Sequence, residues 1–166
     1  MNLIQLPLIM AVCTGNVCRS PLAETLLRHY IQVNGLRATV ISRGLAAPVG
    51  RPPHKYAIEV AEKYGVPLPS EKRAEAVSRA ELRAATLVLV MDSLHRRDIQ
   101  RQFPEVSGKV FLIGQWANQE IADPINMPYS AFEIVWHQID MGARDWVERL
   151  KTSGLVTEST GQLTKQ

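Results

Sequence analysis

Short apolar runs with little polar interruption constrain this chain more than any other feature. They are "LPLIMAV" at 6–12, "ATVIS" at 38–42, "TLVLVM" at 86–91 and "KVFLI" at 109–113. Runs that do not alternate between apolar and polar suit strands covered on both faces, the condition of a parallel sheet. Amphipathic stretches lie between and after them. The spacing predicts helices over 21–33, 53–64, 79–84 and 94–102. A last helix opens at a capping box, "SAFE" at Ser130 to Glu133, and carries Phe132, Trp136, Ile139, Ala143, Trp146 and Leu150 down one face. Strand and helix in alternation, with right-handed crossovers, make a doubly wound α/β fold. The expectation is a three-layer sandwich around a central four-stranded parallel sheet.

With 166 residues the chain is long enough for one domain with a real core. Residues 1–151 are expected to form it, and 152–166, rich in Thr, Ser, Gly and Gln, to be a flexible, frayed tail. A composition of 46% hydrophobic and 21% charged residues excludes a disordered or fibrous chain. The net charge of +3 favours acidic ligands mildly, but no basic stripe interleaved with aromatics points to nucleic acid. No apolar run approaches the roughly 20 residues of a membrane helix, so no membrane insertion is expected. The opening "MNLIQLPLIMAVC" lacks a basic start, is broken by Gln5 and Pro7, and has Val12 where a cleavage site needs a small residue. It reads as a buried strand. The chain is therefore expected to be cytoplasmic, and its two cysteines to be thiols whose reactivity is the question.

Both cysteines lie in "AVCTGNVCRSPLAE", residues 11–24. If the first strand ends at Val12 and a helix starts with Ser20 as N-cap and Pro21 at its first position, residues 13–19 form a loop around a helix N-terminus. Successive N–H groups in such a loop make an anion nest, aided by the positive end of the helix dipole. Gly15 and Asn16 are the residue types that best tolerate the left-handed backbone a nest needs. In general a thiol of pKa near about 8.5 falls to roughly 3.5–7.5 at a helix N-terminus or beside a cation. Cys13, at the floor of the loop, is thereby a candidate nucleophile. Arg19 can bind two phosphoryl oxygens bidentately as a clamp. A leaving oxygen needs a proton, and Asp123, ahead of Pro124 in "IADPINMPYS", is the best-placed carboxylate on a loop. A Cys and an Arg six apart are weak evidence alone; the strand before them, the Gly and Asn within and the Ser-Pro after them raise it.

These residues together resemble the low-molecular-weight protein tyrosine phosphatases. "VCTGNVCRSPLAE" is similar to that family's phosphate-binding loop after strand 1, and every position from Cys13 to Pro21 is acceptable for it. "ADP" is similar to its general-acid loop and "LVLVMD" to the strand and turn between them, so that the likeness spans about 6–150. "GKVFLIGQWANQEIADP" looks most like the bacterial branch that partners tyrosine kinases of capsule and exopolysaccharide production. The resemblance implies Cys13 as nucleophile, Arg19 as clamp and Asp123 as general acid and base. It implies that Thr14, Gly15, Asn16, Val17, Cys18, Arg19 and Ser20 cradle the phosphoryl group. Asn16, with Ser42 as its partner, would hold the loop's shape, and Ser20 would donate to Cys13. The substrate would be a phosphotyrosine protein, an autophosphorylated kinase.

The family needs no cofactor or metal, and His29, His54, His95 and His137 have no metal-ligand spacing here; they are expected at the surface or the core edge. Cys18 has two readings: a packed small side chain, or a reversible disulfide partner that shields Cys13, as in family members with this second cysteine. Three residues depart from the family pattern. Arg43 stands in "SRG" where alanine is usual, Lys72 stands where a supporting histidine is often found, and Ile125 replaces the usual aromatic after Asp-Pro. Either Tyr129 takes over the ring contact or Leu45 and Ile125 form an aliphatic wall, with lower phosphotyrosine affinity. Two rivals stand beside the phosphatase: an arsenate reductase on the same scaffold, which would need further cysteines as an electron relay, and an inert phosphoprotein-binding module.

Overall fold

The computed structural model describes residues 5–154 and 156–158. A central sheet of β1 (Leu8–Cys13), β3 (Thr39–Gly44), β4 (Leu87–Val90) and β5 (Val110–Leu112) is parallel throughout, in the order β3-β1-β4-β5. The chain leaves β1 toward one edge and returns past it to β4. That reversal opens a crevice at the carboxyl ends of β1 and β4, where ligands of such sheets bind.

The unbroken apolar runs serve two cores at once. Ile9, Ala11, Leu87 and Leu89 face a core shared with α1 (Arg19–Val33), α2 (Lys55–Lys63) and α5 (Tyr129–Ser153). Met10, Val12, Val88 and Val90 face the opposite core, with Leu82 of α3 (Arg79–Ala84) and Ile99 of α4 (Ser93–Gln102). Period-two alternation assigns consecutive residues to opposite layers, so neither face tolerates a polar residue. This is the expected α/β sandwich.

The capping of two helices, α1 and α5, differs from the sequence expectation. Helix α1 begins at Arg19, with Cys18 before it making no side-chain cap bond, so Ser20 lies inside the helix. Pro21 becomes its third residue, still among the first four whose N–H groups have no helical acceptor. Helix α5 begins at Tyr129 after Pro128, not at a Ser130 capping box. Glu133 instead reaches across to α2, accepting from Lys63 Nζ at 2.7 Å and from the Tyr64 hydroxyl at 2.8 Å. A tertiary ion pair has taken the carboxylate that the box would have used.

The expected boundary at 151/152 falls inside a helix. Helix α5 continues to Ser153, ends on Gly154 at φ 77, and is followed by buried Val156. The short β6 (Thr157–Glu158) then pairs antiparallel with β2 (Leu36–Arg37). The rest of the expected tail lies outside the described residues.

Candidate active site

Cys13 closes β1, and the loop to α1 folds back over its sulfur. The backbone N–H groups of Asn16 and Ser20 point at Cys13 Sγ from 3.3 and 3.4 Å, and Ser20 Oγ lies 3.0 Å from it. Converging donors at a helix N-terminus suit a sulfur that carries negative charge. Ser20 is thus drawn to the sulfur instead of capping the helix.

Asn16 alone takes the left-handed conformation, at φ 55; Gly15, expected to share it, has no positive φ. The Asn16 side chain fixes that strained turn. Its Nδ2 donates to Ser20 Oγ at 2.8 Å and to Ser42 Oγ at 2.9 Å, while its Oδ1 accepts from Glu75 N at 2.9 Å and Lys72 Nζ at 3.3 Å. The glycine that the loop does require is Gly44, at the end of β3. Leu45 N and Ala46 N donate to the carbonyls of Cys13 and Thr14, and a Cβ on Gly44 would stand 2.7 Å from Thr14 O.

Arg19 is buried to 4% exposure, and its guanidinium is held from three sides. Nη1 donates to Asp92 Oδ2 at 3.1 Å and to Ile121 O at 2.8 Å; Nη2 lies 3.7 Å from Asp123 Oδ2. Asp123 is half exposed, so one carboxylate anchors the clamp while the other meets it from the solvent side. Asp123 Oδ1 accepts from Ile125 N at 3.1 Å, and Met127 N closes a turn onto Pro124 O at 2.9 Å with Asn126 at φ 73. That turn ties Ile125 directly to Asp123. Tyr129 sets its ring edge-on to Tyr56, 5.5 Å between centroids, within an aromatic group that includes Phe132.

The departures from the family pattern have partners. Lys72 Nζ reaches Asn16 Oδ1 and Ser42 O at 3.3 Å each and lies 3.7 Å from buried Glu24. Burial holds its pKa below the usual 10.5, against the pull of Glu24. Arg43 Nε and Nη2 form a fork on Glu81 at 2.9 and 2.8 Å, and Nη2 also lies 3.2 Å from Glu75. Cys18 is 2% exposed in the main core, and burial pushes its thiol pKa up.

Two residues of the site escaped sequence reasoning. Asp92 anchors Arg19, as just described, and caps α4 by accepting from His95 N at 2.9 Å. His95 is buried, not superficial, with Nε2 2.9 Å from Thr14 Oγ1. The available signal was Asp92 directly after an apolar strand, the position of a helix N-cap, with histidine three residues on. His54 also serves the loop, through its N–H on Val17 O at 2.7 Å, while its ring stacks on Phe132. Among the described residues no three His, Cys, Asp or Glu side chains cluster as a metal would need. No helix among them is long and apolar enough to cross a membrane.

Comparison with known proteins adds family and fold. The family profile described as "Low molecular weight phosphotyrosine protein phosphatase" matches residues 8–155. The "Probable low molecular weight protein-tyrosine-phosphatase EpsP" of Ralstonia nicotianae is 37% identical over 146 residues, covering 88% of this chain and 97% of that one. The crystal structure of the tyrosine phosphatase Wzb from Escherichia coli K30 with sulphate superposes at a TM-score of 0.80 with 36% identity, over 88% of this chain and 99% of that one. The YwlE arginine phosphatase from Geobacillus stearothermophilus superposes at 0.81 with 29% identity, over 96% of this chain and 99% of that one.

Proposed function

Because the chain belongs to the low molecular weight phosphotyrosine protein phosphatase family, we propose that it hydrolyses protein phosphotyrosine through a phosphocysteine on Cys13. Cys13 Sγ attacks phosphorus while the Arg19 fork and the N–H groups of residues 14–20 hold the non-bridging oxygens. As the S–P bond forms, the bond from phosphorus to the tyrosyl oxygen breaks, and Asp123 delivers its proton to that oxygen. A water then attacks phosphorus, gives its proton to Asp123, and the S–P bond breaks. The Ser20 hydroxyl, 3.0 Å from Sγ, stabilises the departing thiolate. No metal or cofactor has a step in this sequence. The observation that carries the reading is the convergence of two N–H groups and one hydroxyl on Cys13 Sγ, in the loop whose Arg19 pairs with Asp123.

The natural substrate in this reading is an autophosphorylated tyrosine kinase of polysaccharide production in the cytoplasm, supported by the bacterial-branch likeness of "GKVFLIGQWANQEIADP". An arsenate reductase would need a relay of further thiols, whereas the sequence holds two cysteines. An inert binding module would have no use for a nucleophile, a clamp and an acid in one site. A second substrate class, phosphoarginine, gains support from the likeness to YwlE together with Ile125 in place of an aromatic. Hydrolysis of phosphotyrosyl and phosphoarginyl peptides, compared side by side, tests both. The expected result is phosphotyrosine cleavage at mildly acidic pH that Cys13→Ser abolishes; full activity in that variant, or phosphoarginine as the only substrate cleaved, overturns the reading.

A further inference from the structure

One buried titratable side chain lies against the candidate site and has no part in the steps above. His95 stands in the first turn of α4, 4% exposed, with Nε2 2.9 Å from the hydroxyl of Thr14, the residue that follows Cys13. Its Nδ1 lies 3.4 Å from Asp92 Oδ1 with no hydrogen bond, and its backbone N–H donates to that same oxygen at 2.9 Å. The other oxygen of Asp92 accepts from Arg19 at 3.1 Å. One carboxylate therefore has the clamp on one side and the imidazole on the other. A chain of contacts runs from Thr14 through His95 and Asp92 to Arg19, joining the start of the loop to its end.

We propose that His95 is a positioning residue: as a neutral imidazole it sets Thr14 and, through Asp92, Arg19 in the geometry that receives the oxyanion. Nδ1 faces a carboxylate, so the single proton of the neutral ring belongs there, and Nε2 accepts from the Thr14 hydroxyl. A second proton on Nε2 removes that acceptor and places a cation beside Arg19, in competition for Asp92. The charged groups facing the ring are Asp92 at the α4 N-cap, Asp98 within α4, Arg19 of α1 and Asp123 of the loop before α5. The three carboxylates favour the imidazolium and Arg19 opposes it, but burial opposes it most and holds the pKa below the ordinary 6.5. His95 is thus neutral around pH 7, and the clamp loosens as the solution turns acid enough to charge it.

The inference rests on the phosphatase reading for its meaning but not for its test, since sulfate binding needs no turnover. Sulfate is the probe, because its charge is constant between neutral pH and about pH 5. Its affinity is read from the rise in Tm that it causes, each variant being compared with itself without sulfate, so that a loss of fold stability does not enter. His95→Gln can still reach Thr14 but cannot titrate; His95→Leu keeps bulk and loses the bond. The wild type is expected to lose sulfate affinity toward the acid end more steeply than His95→Gln. His95→Leu and Thr14→Val are each expected to weaken sulfate about three- to ten-fold at neutral pH, the factor of one hydrogen bond, and the double variant no further. An acid limb unchanged in His95→Gln, or losses that add in the double variant, overturns the proposal. Should the wild type bind sulfate with these signatures yet cleave no aryl phosphate, the phosphatase reading falls and the role of His95 stands.

Discussion

Asp123 and Ile125 make separable contributions at the scale of single residues. In the proposed mechanism Asp123 matters in proportion to how badly the leaving group needs a proton. Asp123→Asn is expected to slow alkyl or phenyl esters by about 10²–10⁴, but p-nitrophenyl phosphate far less. Rates across a series of leaving-group pKa values check this, and equal loss throughout would reassign Asp123 to holding the loop through Ile125 N, which it contacts at 3.1 Å. Ile125 is tethered beside that carboxylate, at the position where the family resemblance leads one to expect an aromatic ring. Ile125→Tyr should lower KM for phosphotyrosyl peptides several-fold, since an aromatic pair is worth roughly 0.5–1.5 kcal/mol beyond the area it buries; an unchanged KM would contradict the aliphatic-wall explanation. Cys13, Arg19 and Asp123 stood out in the sequence by residue type and motif, and the structure brings Arg19 to Asp123 beside the Cys13 loop. Asp92 and His95 did not stand out, because their roles depend on α4 placing them against a loop about eighty residues away in sequence, at Thr14, for which His95 has a 2.9 Å contact.

Elements impose their own order on the site. The αL turn at Asn16 is held by residues from β3, from the segment carrying Lys72 and Glu75, and from α1, so its shape is a tertiary product. Arg43 fastens the same region from the other side by gripping Glu81 of α3 with a two-point fork. That guanidinium holds the Glu81 carboxyl below its usual 4.5. A carboxylate so lowered stabilises the fold above its unfolded value and loses that contribution as the pH falls through its folded value. Glu81→Gln should therefore cost about 1 kcal/mol at neutral pH, a modest figure because Glu81 is 36% exposed and screened. In urea unfolding the gap from wild type should shrink toward about pH 3, and a gap equal at both pH values would show that the fork carries no charge-dependent stability. The parallel strands were readable to within two residues because burial on both faces demands unbroken apolar runs. The capping residues of α1 and α5 were not. Ser20 and Glu133 carry cap-forming side chains, but stronger tertiary partners, Cys13 with Asn16 in one case and Lys63 with Tyr64 in the other, claim them.

In the molecule as a whole, β1 in the middle of the sheet brings Cys13 to the crevice, β4 delivers Asp92 beside it, and the connection into α5 swings Asp123 over Arg19. The pairing of β2 with β6 was invisible in the sequence, since two-residue strands such as Leu36–Arg37 have no periodicity to read. The sheet itself was legible from four apolar runs, and the family from one loop that resembles it. The central claim is that phosphoryl transfer passes through sulfur at Cys13. Acid-quenching the protein during turnover of a phosphotyrosyl peptide, and locating the modification by mass spectrometry, tests that most directly. The expected result is one phosphoryl group on Cys13; hydrolysis that proceeds with the phosphoryl group on another residue would contradict it.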